Sequence, residues 1–326
     1  MIAFDAYVWL LTDPETSVGS SPLADVPCLP ELPRLIKLKY LTGVNRWTHL
    51  DRPVALLHEA TDGDLSRSFV WRELLHHFGI SDVASSVFRD TFGCWAFLDL
   101  WRVDAPDAFS AADAAYLAGI AAPVTTALRR CHATTFAATT FAAASFAAAT
   151  AQGTQRRGPV VLLLSADLDV LAQTPETAQH LRLLLPPDIG RSPIPASAYN
   201  VAAQLLAAEQ GVDAHAATAR VHRSDGRWLT LRAARIEDGR PAADRDIAVT
   251  VEDSSPAERT SLFARVHGLS VRETELLSHL VAGGDTRDIA GLMSVSRHTV
   301  QDHLKSIFAK SSVRNRRTLL SRALGG

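Results

Sequence analysis

Apolar and polar positions along the chain change period several times, and each change marks an element. Alternation is clearest where Ser85-Ser86-Val87-Phe88-Arg89 and the run from Cys94 to Arg102 flank a Thr91-Phe92-Gly93 turn, the pattern of an antiparallel hairpin. Upstream, Arg52 to Leu57 reads as a strand and Phe69 to Phe78 as a helix or strand pair. Residues 1 to 35, apolar and then Pro-rich, read as an irregular lead-in with one short helix. Past the hairpin the period lengthens. Leu117, Ile120, Ala121, Val124 and Leu128 recur at helical spacing behind Ser110 and Asp113, a capping box for the first turn.

Residues 131–157 are a low-complexity run of Phe-Ala-Ala and Thr/Ser, predicted helical from its alanine and ended at Gln152-Gly153-Thr154. Phe136, Phe141 and Phe146 lie five apart, so they spiral around such a helix and make no coiled-coil seam. Pattern resumes at Gly158. Val160 to Leu164 is a buried strand, Asp167-Leu168-Asp169 turns into Val170-Leu171-Ala172, and Pro175 opens a helix. Ala217 to Val221 and Trp228 to Arg232 then flank an Asp225-Gly226 hairpin turn, and Ile247 to Val251 is a last strand.

From Leu269 to Leu324 the pattern is wholly helical. Ser270 with Glu273 is a capping box; Leu276, Leu277, Leu280 and Val281 give one apolar face; Gly283-Gly284 stops the helix. A second helix starts at Asp285 or Thr286 with Ile289, Ala290 and Leu292 inward, and Ser294-Val295-Ser296 turns into a third, N-capped by Ser296 and running to about Ala309. A fourth follows from Asn315. The third helix is two-faced: Val300, Leu304 and Ile307 lie opposite Arg297, His298, Gln301, Asp302 and Lys305. Helices joined by a short turn, the second polar outward, fit the major groove of B-DNA. An ordinary solvated face has the same pattern.

Charge favours the groove. From Leu262 onward ten Lys/Arg stand against five Asp/Glu, leaving 23 basic and 30 acidic residues for the rest of a 326-residue chain of net charge −2. A basic end on an acidic body is the footprint of a DNA-binding module carried by a larger one. Cys28, Cys94 and Cys131 are too far apart for a disulfide framework or metal box, and neither Cys94 nor the His76-His77 pair completes a ligand set or triad. Trp47, Trp71, Trp95 and Trp101 could line a ligand pocket or fill a core. The start, MIAFDAYVWLLTDPE, has no basic lead or cleavage signature, and no apolar run reaches a membrane span. The expectation is a cytoplasmic protein without cofactor or metal.

The run Leu269-Ser270, Arg272-Glu273, Gly283-Gly284, Ile289-Ala290 and Ser296-Arg297-His298-Thr299-Val300, with His303, Ile307, Lys310, Val313 and Arg316, resembles the LuxR-type (GerE-like) helix-turn-helix family. Gln301 stands where the family often has Lys, and Ser312 where it often has Gly. The resemblance implies a regulator that binds double-stranded DNA, with Thr286, Arg287, Ser296, Arg297, His298, Thr299, Lys305 and Lys310 at phosphates or groove edges. Gln301 and Asp302 are its best base readers, and Arg314, Arg316 and Arg317 its backbone clamp. Homodimerisation and RNA polymerase as a partner belong to the same expectation.

The segment from Tyr40-Leu41-Thr42 through Asn45-Arg46-Trp47 to Gly93-Cys94-Trp95 and Leu100-Trp101-Arg102 resembles GAF-like small-molecule sensor domains; the strand order after Gly158 resembles a PAS-like one. The expected fold is therefore α+β and multi-domain: a GAF-like domain over 1–131, a helical linker over 132–157, a PAS-like domain over 158–254 and an all-α four-helix domain over 262–326. A phosphorelay receiver is the first alternative for VVLLLSADLD, but no Lys occurs between Tyr40 and Leu304 to hold a phosphoryl group, and hairpins replace alternating parallel strands. An enzyme hidden in the sensor-like region is a second, without a nucleophile elbow, phosphate-cradling Gly loop or HExxH motif to support it. A pure interaction scaffold, the third, is disfavoured by the basic end.

Overall fold

A computed structural model describes residues 2–149, 160–175, 177, 196–222, 227–237, 239–241 and 244–324. The chain divides into two compact units, Met1–Thr125 with Arg157–Val221 and Leu229–Glu252, and Thr126–Arg156 with His222–Trp228 and Asp253–Gly326. The helix end at Gln152-Gly153-Thr154 and the Asp225-Gly226 turn lie outside the described residues, as do most of the helix from Pro175 and the side chains of Phe141 and Phe146.

The first unit holds two antiparallel sheets. One contains β1 (Ala6–Thr12), β2 (Gly19–Asp25), β3 (Val54–Leu56), β4 (Ile80–Asp90) and β5 (Gly93–Val103), in the order β2-β1-β5-β4-β3. The other contains β6 (Val160–Leu164), β7 (Val170–Gln173), β8 (Thr218–His222), β9 (Trp228–Arg235) and β10 (Ile247–Asp253), in the order β7-β6-β10-β9-β8. Counted within its own sheet, each runs 2-1-5-4-3. The same topology occurs twice.

The lead-in expected over residues 1 to 35 is corrected: β1 and β2 form a hairpin, and β1 pairs on its other edge with β5. The run Ala6 to Leu11 is apolar throughout because β1 is an inner strand with little of either face open, so alternation is lost. Only Leu29–Glu31 supplies the short helical turn, which leads into α1 (Leu32–Leu41). The expected strand at Arg52 to Leu57 is β3, cut short by α2 (Leu57–Ala60). Phe69 to Phe78 is helical, as α3 (Phe69–Glu73) and a single 3-10 turn. The β4–β5 hairpin pairs Asp90 with Gly93 around Thr91-Phe92.

β5 separates two layers. Leu100 packs with Phe109 and Leu117 of α4 (Ala111–Ala149), whose first turn is closed by the Ser110–Asp113 box, at 2.9 and 3.2 Å. Within Ala111–Phe136 this helix holds a stretch long and apolar enough to cross a membrane by length and composition alone, against the expectation that no stretch does. Much of that apolar character is alanine, which is weakly apolar per residue.

The other face of β5 meets α1, and there the two sheets share one core. α5 (Ala196–Glu209) is buried on almost every side; its Ala198, Ala202, Ala203 and Ala207 are fully buried in one core with Leu162, Leu231 and Val249, and α1 and β2 pack against it. Two ion pairs complete the contact. Asp13, in the β1–β2 turn, receives Arg220 Nε and Nη2 at 2.7 Å each and the Arg220 amide at 2.8 Å; Thr16 Oγ1 donates to Thr218 O at 2.6 Å. Arg46 bonds Asp213 at 2.8 Å, Gln204 at 3.0 Å and the Tyr40 carbonyl, while Asp213 also receives the His215 amide at 2.8 Å. Three of the four tryptophans named above have satisfied indoles, Trp47 and Trp95 buried and Trp71 half-buried at the core edge: Trp47 donates to Ser17 O, Trp71 to Ile80 O and Trp95 to Asp90 Oδ1.

In the second unit α6 (Pro256–Val266), unforeseen from the sequence, precedes α7 (Val271–Val281), α8 (Thr286–Leu292), α9 (Arg297–Ser311) and α10 (Arg316–Leu324). It carries its own capping box, Ser255 with Glu258, and a Pro in its first turn. An aromatic group anchors it: Phe136 stacks on Trp228 at 5.2 Å and meets Phe263 edge-on at 5.7 Å, and Phe263 lies 4.3 Å from the His267 ring.

Candidate nucleic-acid interface

Four predicted helices at the carboxy-terminal end form within a residue or two of their expected bounds, because each has a local start signal. Ser270 and Glu273 cap α7 reciprocally; Asp285 caps α8, receiving the amides of Arg287 and Asp288 at 2.7 and 2.9 Å; Ser296 caps α9, receiving Thr299 N at 3.1 Å. Asn315 Oδ1 accepts from Thr318 N at 2.8 Å and starts α10. Gly283, at φ 90°, ends α7 in a conformation that a side chain would strain.

Val300 and Ile307 of α9 are fully buried and Leu304 nearly so. They pack α9 on α7 and α8. The outward face carries Arg297, His298, Gln301, Asp302 and Lys305, all exposed, with Thr299 half-buried at its start. Asp302 lies 3.4 Å from His298 Nε2 and 3.2 Å from Lys305 Nζ. Such surface contacts contribute about 0–1 kcal/mol, so a phosphate or base edge can displace them at little cost. Among the described residues, the side chains of Arg297, Gln301, Arg314 and Arg317 form no hydrogen bond, and all four are exposed. Arg287 is exposed and Thr286 half-buried in the first turn of α8.

Two of the predicted contacts have partners inside the fold. Lys310 Nζ is 2.6 Å from Glu273 Oε2, and Arg316 Nη2 donates to the Gly284 carbonyl at 2.6 Å, tying α10 to the α7–α8 break. Glu273 is the residue whose full role the sequence concealed. Beyond capping α7 at Ser270 N, 2.6 Å, it accepts from Ser306 Oγ at 2.5 Å, so one carboxylate joins α7 to two positions of α9. Burial pushes this carboxyl up, but the bonds from Lys310, Ser306 and the Ser270 amide outweigh it and hold the group at about 2. Arg322 Nη1 donates to Ser311 O at 3.0 Å, a cation on the last turn of α9.

Ser312 ends α9 at φ 52°, ψ 40°, the left-handed conformation that glycine adopts freely. Ser312→Gly is expected to raise the stability of the second unit by about 0.5–1 kcal/mol, relief of the side-chain strain exceeding the extra entropy of the unfolded chain. Thermal denaturation followed by helical circular dichroism checks the sign; a lower midpoint would mean the Ser312 side chain has a contact worth more than the strain.

Residues 267–323 match the family described as bacterial regulatory proteins, luxR family, so the chain carries a LuxR-type helix-turn-helix domain at this end. No curated protein matches the chain. Two solved structures of VqmA from Vibrio cholerae are similar to it, one described as a dimer in the absence of target DNA and one as a ligand–DNA complex. Identity is 15% and 18%, each alignment covers 52% of this chain and 83% of the other, and the TM-score is 0.22 in both. A superposition that shallow carries no weight for fold or function.

Proposed function

We propose that this protein is a cytoplasmic, homodimeric, sequence-specific transcriptional regulator in which sensor-like folds modulate the terminal DNA-binding head. The single observation that carries the reading is the face of α9: a buried apolar side fixed on α7 and α8, opposite an outward row of long polar side chains with weak or no ties to the protein. Its location inside the LuxR-type segment gives that face a use. Domain limits of 1–131 (GAF-like), 132–157 (linker), 158–254 (PAS-like) and 262–326 (helix-turn-helix) remain part of the proposal, as do RNA polymerase as a partner and binding without catalysis.

In this reading α9 enters the major groove. Gln301 pairs bidentately with adenine, and Asp302 accepts from cytosine N4 once His298 and Lys305 turn to phosphates. Arg297, Thr299 and Ser296 lie where α9 begins, and its partial positive charge adds to their attraction for phosphate. Arg287, Arg314 and Arg317 reach the backbone, whereas Lys310 and Arg316 orient helices.

A salt titration of DNA binding separates the roles. Lys305→Ala is expected to weaken binding to every sequence and lower the slope of log K against log salt by about 1. Gln301→Ala is expected to change preference among sites, at a cost of about 1–3 kcal/mol at the affected base pair, with the salt slope unchanged. Parent-like behaviour of both variants would remove α9 from the groove.

A further inference from the structure

One face of the first sheet is only partly covered. α4 packs there through Leu117, in one cluster with Leu100 and Phe109, and Tyr7 and Leu98 close around it. Tyr7, Trp9 and Leu11 alternate along β1 and share that face, and so does Leu23 of β2, which pairs with Trp9. Trp9 and Leu11 are half-buried, and Leu23 is 62% exposed. An apolar shelf therefore extends along β1 and β2 beside the helix.

The helix poses the same question on its solvent side. From Ala114 to Thr125 it carries no charged residue, although Ala115, Tyr116, Ala118, Gly119, Ala122 and Pro123 are all exposed. A helix with one face in water ordinarily carries charged and polar side chains on it. Gly119 sharpens the contrast. Glycine inside a helix is less stable than alanine, and a Cβ at this position would stand in open space. The packing of the chain itself gives no reason for the glycine. Close approach of another backbone gives one.

A second copy of the chain fits both features. A ridge beside a shelf is self-complementary: a two-fold axis along their boundary lays each helix on the other copy's strands, an isologous contact. Charge disfavours the alternatives, since neither a phosphate backbone nor an acidic or basic segment gains anything from an uncharged face. Area agrees. Ala111–Thr125 spans about 22 Å, β1 and β2 about the same, and helix and strands together are about 20 Å wide. That is about 440 Å² in projection, and side-chain relief brings it into the range of about 600–1,000 Å² that standard interfaces take from each partner.

We propose that a second copy of this chain covers the ridge of α4 and the shelf of β1 and β2 by reciprocal packing. The inference gives the homodimeric reading its interface and rests on it.

Sedimentation velocity of the full-length chain without DNA, over a range of concentrations, tests it. The parent is expected to sediment as a dimer. Leu23→Glu puts a charge on the shelf, and Gly119→Gln puts a side chain between the approaching backbones; each is expected to weaken the dimer about 30–100-fold. Neither change disturbs the single chain, because Leu23 is exposed and Gln is a better helix former than Gly at an open position. Circular dichroism of both variants is expected to match the parent. A dimeric parent whose variants stay equally dimeric overturns this proposal alone. A parent that is monomeric at every concentration overturns it together with the homodimeric reading. Flotation of the parent with phosphatidylcholine vesicles gives the face to a bilayer and overturns it too. A gel shift on the same preparations reads the DNA-binding head by itself, so loss of DNA binding is told apart from loss of the dimer.

Discussion

Asp13→Ala is expected to destabilise the sheet unit by about 3–5 kcal/mol, a large part of the total stability of a typical domain. The substitution leaves Arg220, 5% exposed, without the carboxylate that receives its side chain twice and its amide once. Glu15 cannot take over. It reaches Arg220 Nη2 at 2.9 Å but lies substantially in solvent, where its charge is screened. Burial alone would push the Asp13 carboxyl up; Arg220, with the amide of Glu15, outweighs that and holds it below the ordinary range. Tryptophan emission reports this unit selectively, since Trp9, Trp47, Trp71, Trp95 and Trp101 lie in it and Trp228 does not. Urea unfolding should show a lower midpoint at an unchanged m-value. The double variant Asp13→Leu/Arg220→Met is expected to recover most of the loss, because replacing a whole buried pair by apolar groups is nearly neutral. A single variant as stable as the parent would mean that the β1–β2 turn does not depend on this pair.

Whether an element was legible depended on how local its causes are. The helices α7 to α10 could be read residue by residue, since a capping serine, a helical apolar stripe and a Gly-Gly stop all act within a dozen positions. The hairpin of β4 and β5 was legible for the same reason. β1 was not. Paired on both edges, it shows an unbroken apolar run that alternation cannot flag, and its turn is held by Arg220, 207 residues away. The joining of two sheets through α5 was equally hidden, because an alanine-rich helix gives no amphipathic signal when both of its sides are covered. α6 was missed though its signals were present: Ser255, Pro256 and Glu258 are the cap of α7 in another place. At the interface, exposed Arg297, Gln301 and Lys305 follow from the helical wheel alone. That Lys310 and Arg316 are tied to the fold follows from Glu273 and Gly284, on other elements, which no wheel contains.

Acid is expected to melt the DNA-binding head in two separable steps. His267, beside Phe263, is pushed down to about 4 by burial, with Arg322 and Arg129 adding repulsion and the Lys310 backbone offsetting only part. In the unfolded chain it titrates near 6.5. Between about pH 6.5 and 4 the unfolded state therefore takes up a proton that the folded state refuses, and stability falls by about 2–3 kcal/mol. Glu273 acts next. Its folded value of about 2 lies below the unfolded carboxyl near 4.3, so its contribution is complete above that range and is lost as pH drops toward 2, another 3 kcal/mol or about that. Both signs are the same, so the loss runs one way from near neutrality downward. Substitutions assign the steps. His267→Phe keeps a ring against Phe263 and is expected to flatten the profile between pH 6.5 and 4 while leaving the lower step. Glu273→Gln keeps the cap on Ser270 N but gives up the charged bonds to Lys310 and Ser306; it is expected to cost about 1.5–3 kcal/mol at neutral pH and to erase the lower step. Hydrogen exchange of the α7 and α9 amides, corrected for the intrinsic rate at each pH, reads this unit without interference from the sheets. If His267→Phe kept the full slope between pH 6.5 and 4, the buried imidazole would not be its source, and the groups responsible would have to lie elsewhere in this unit.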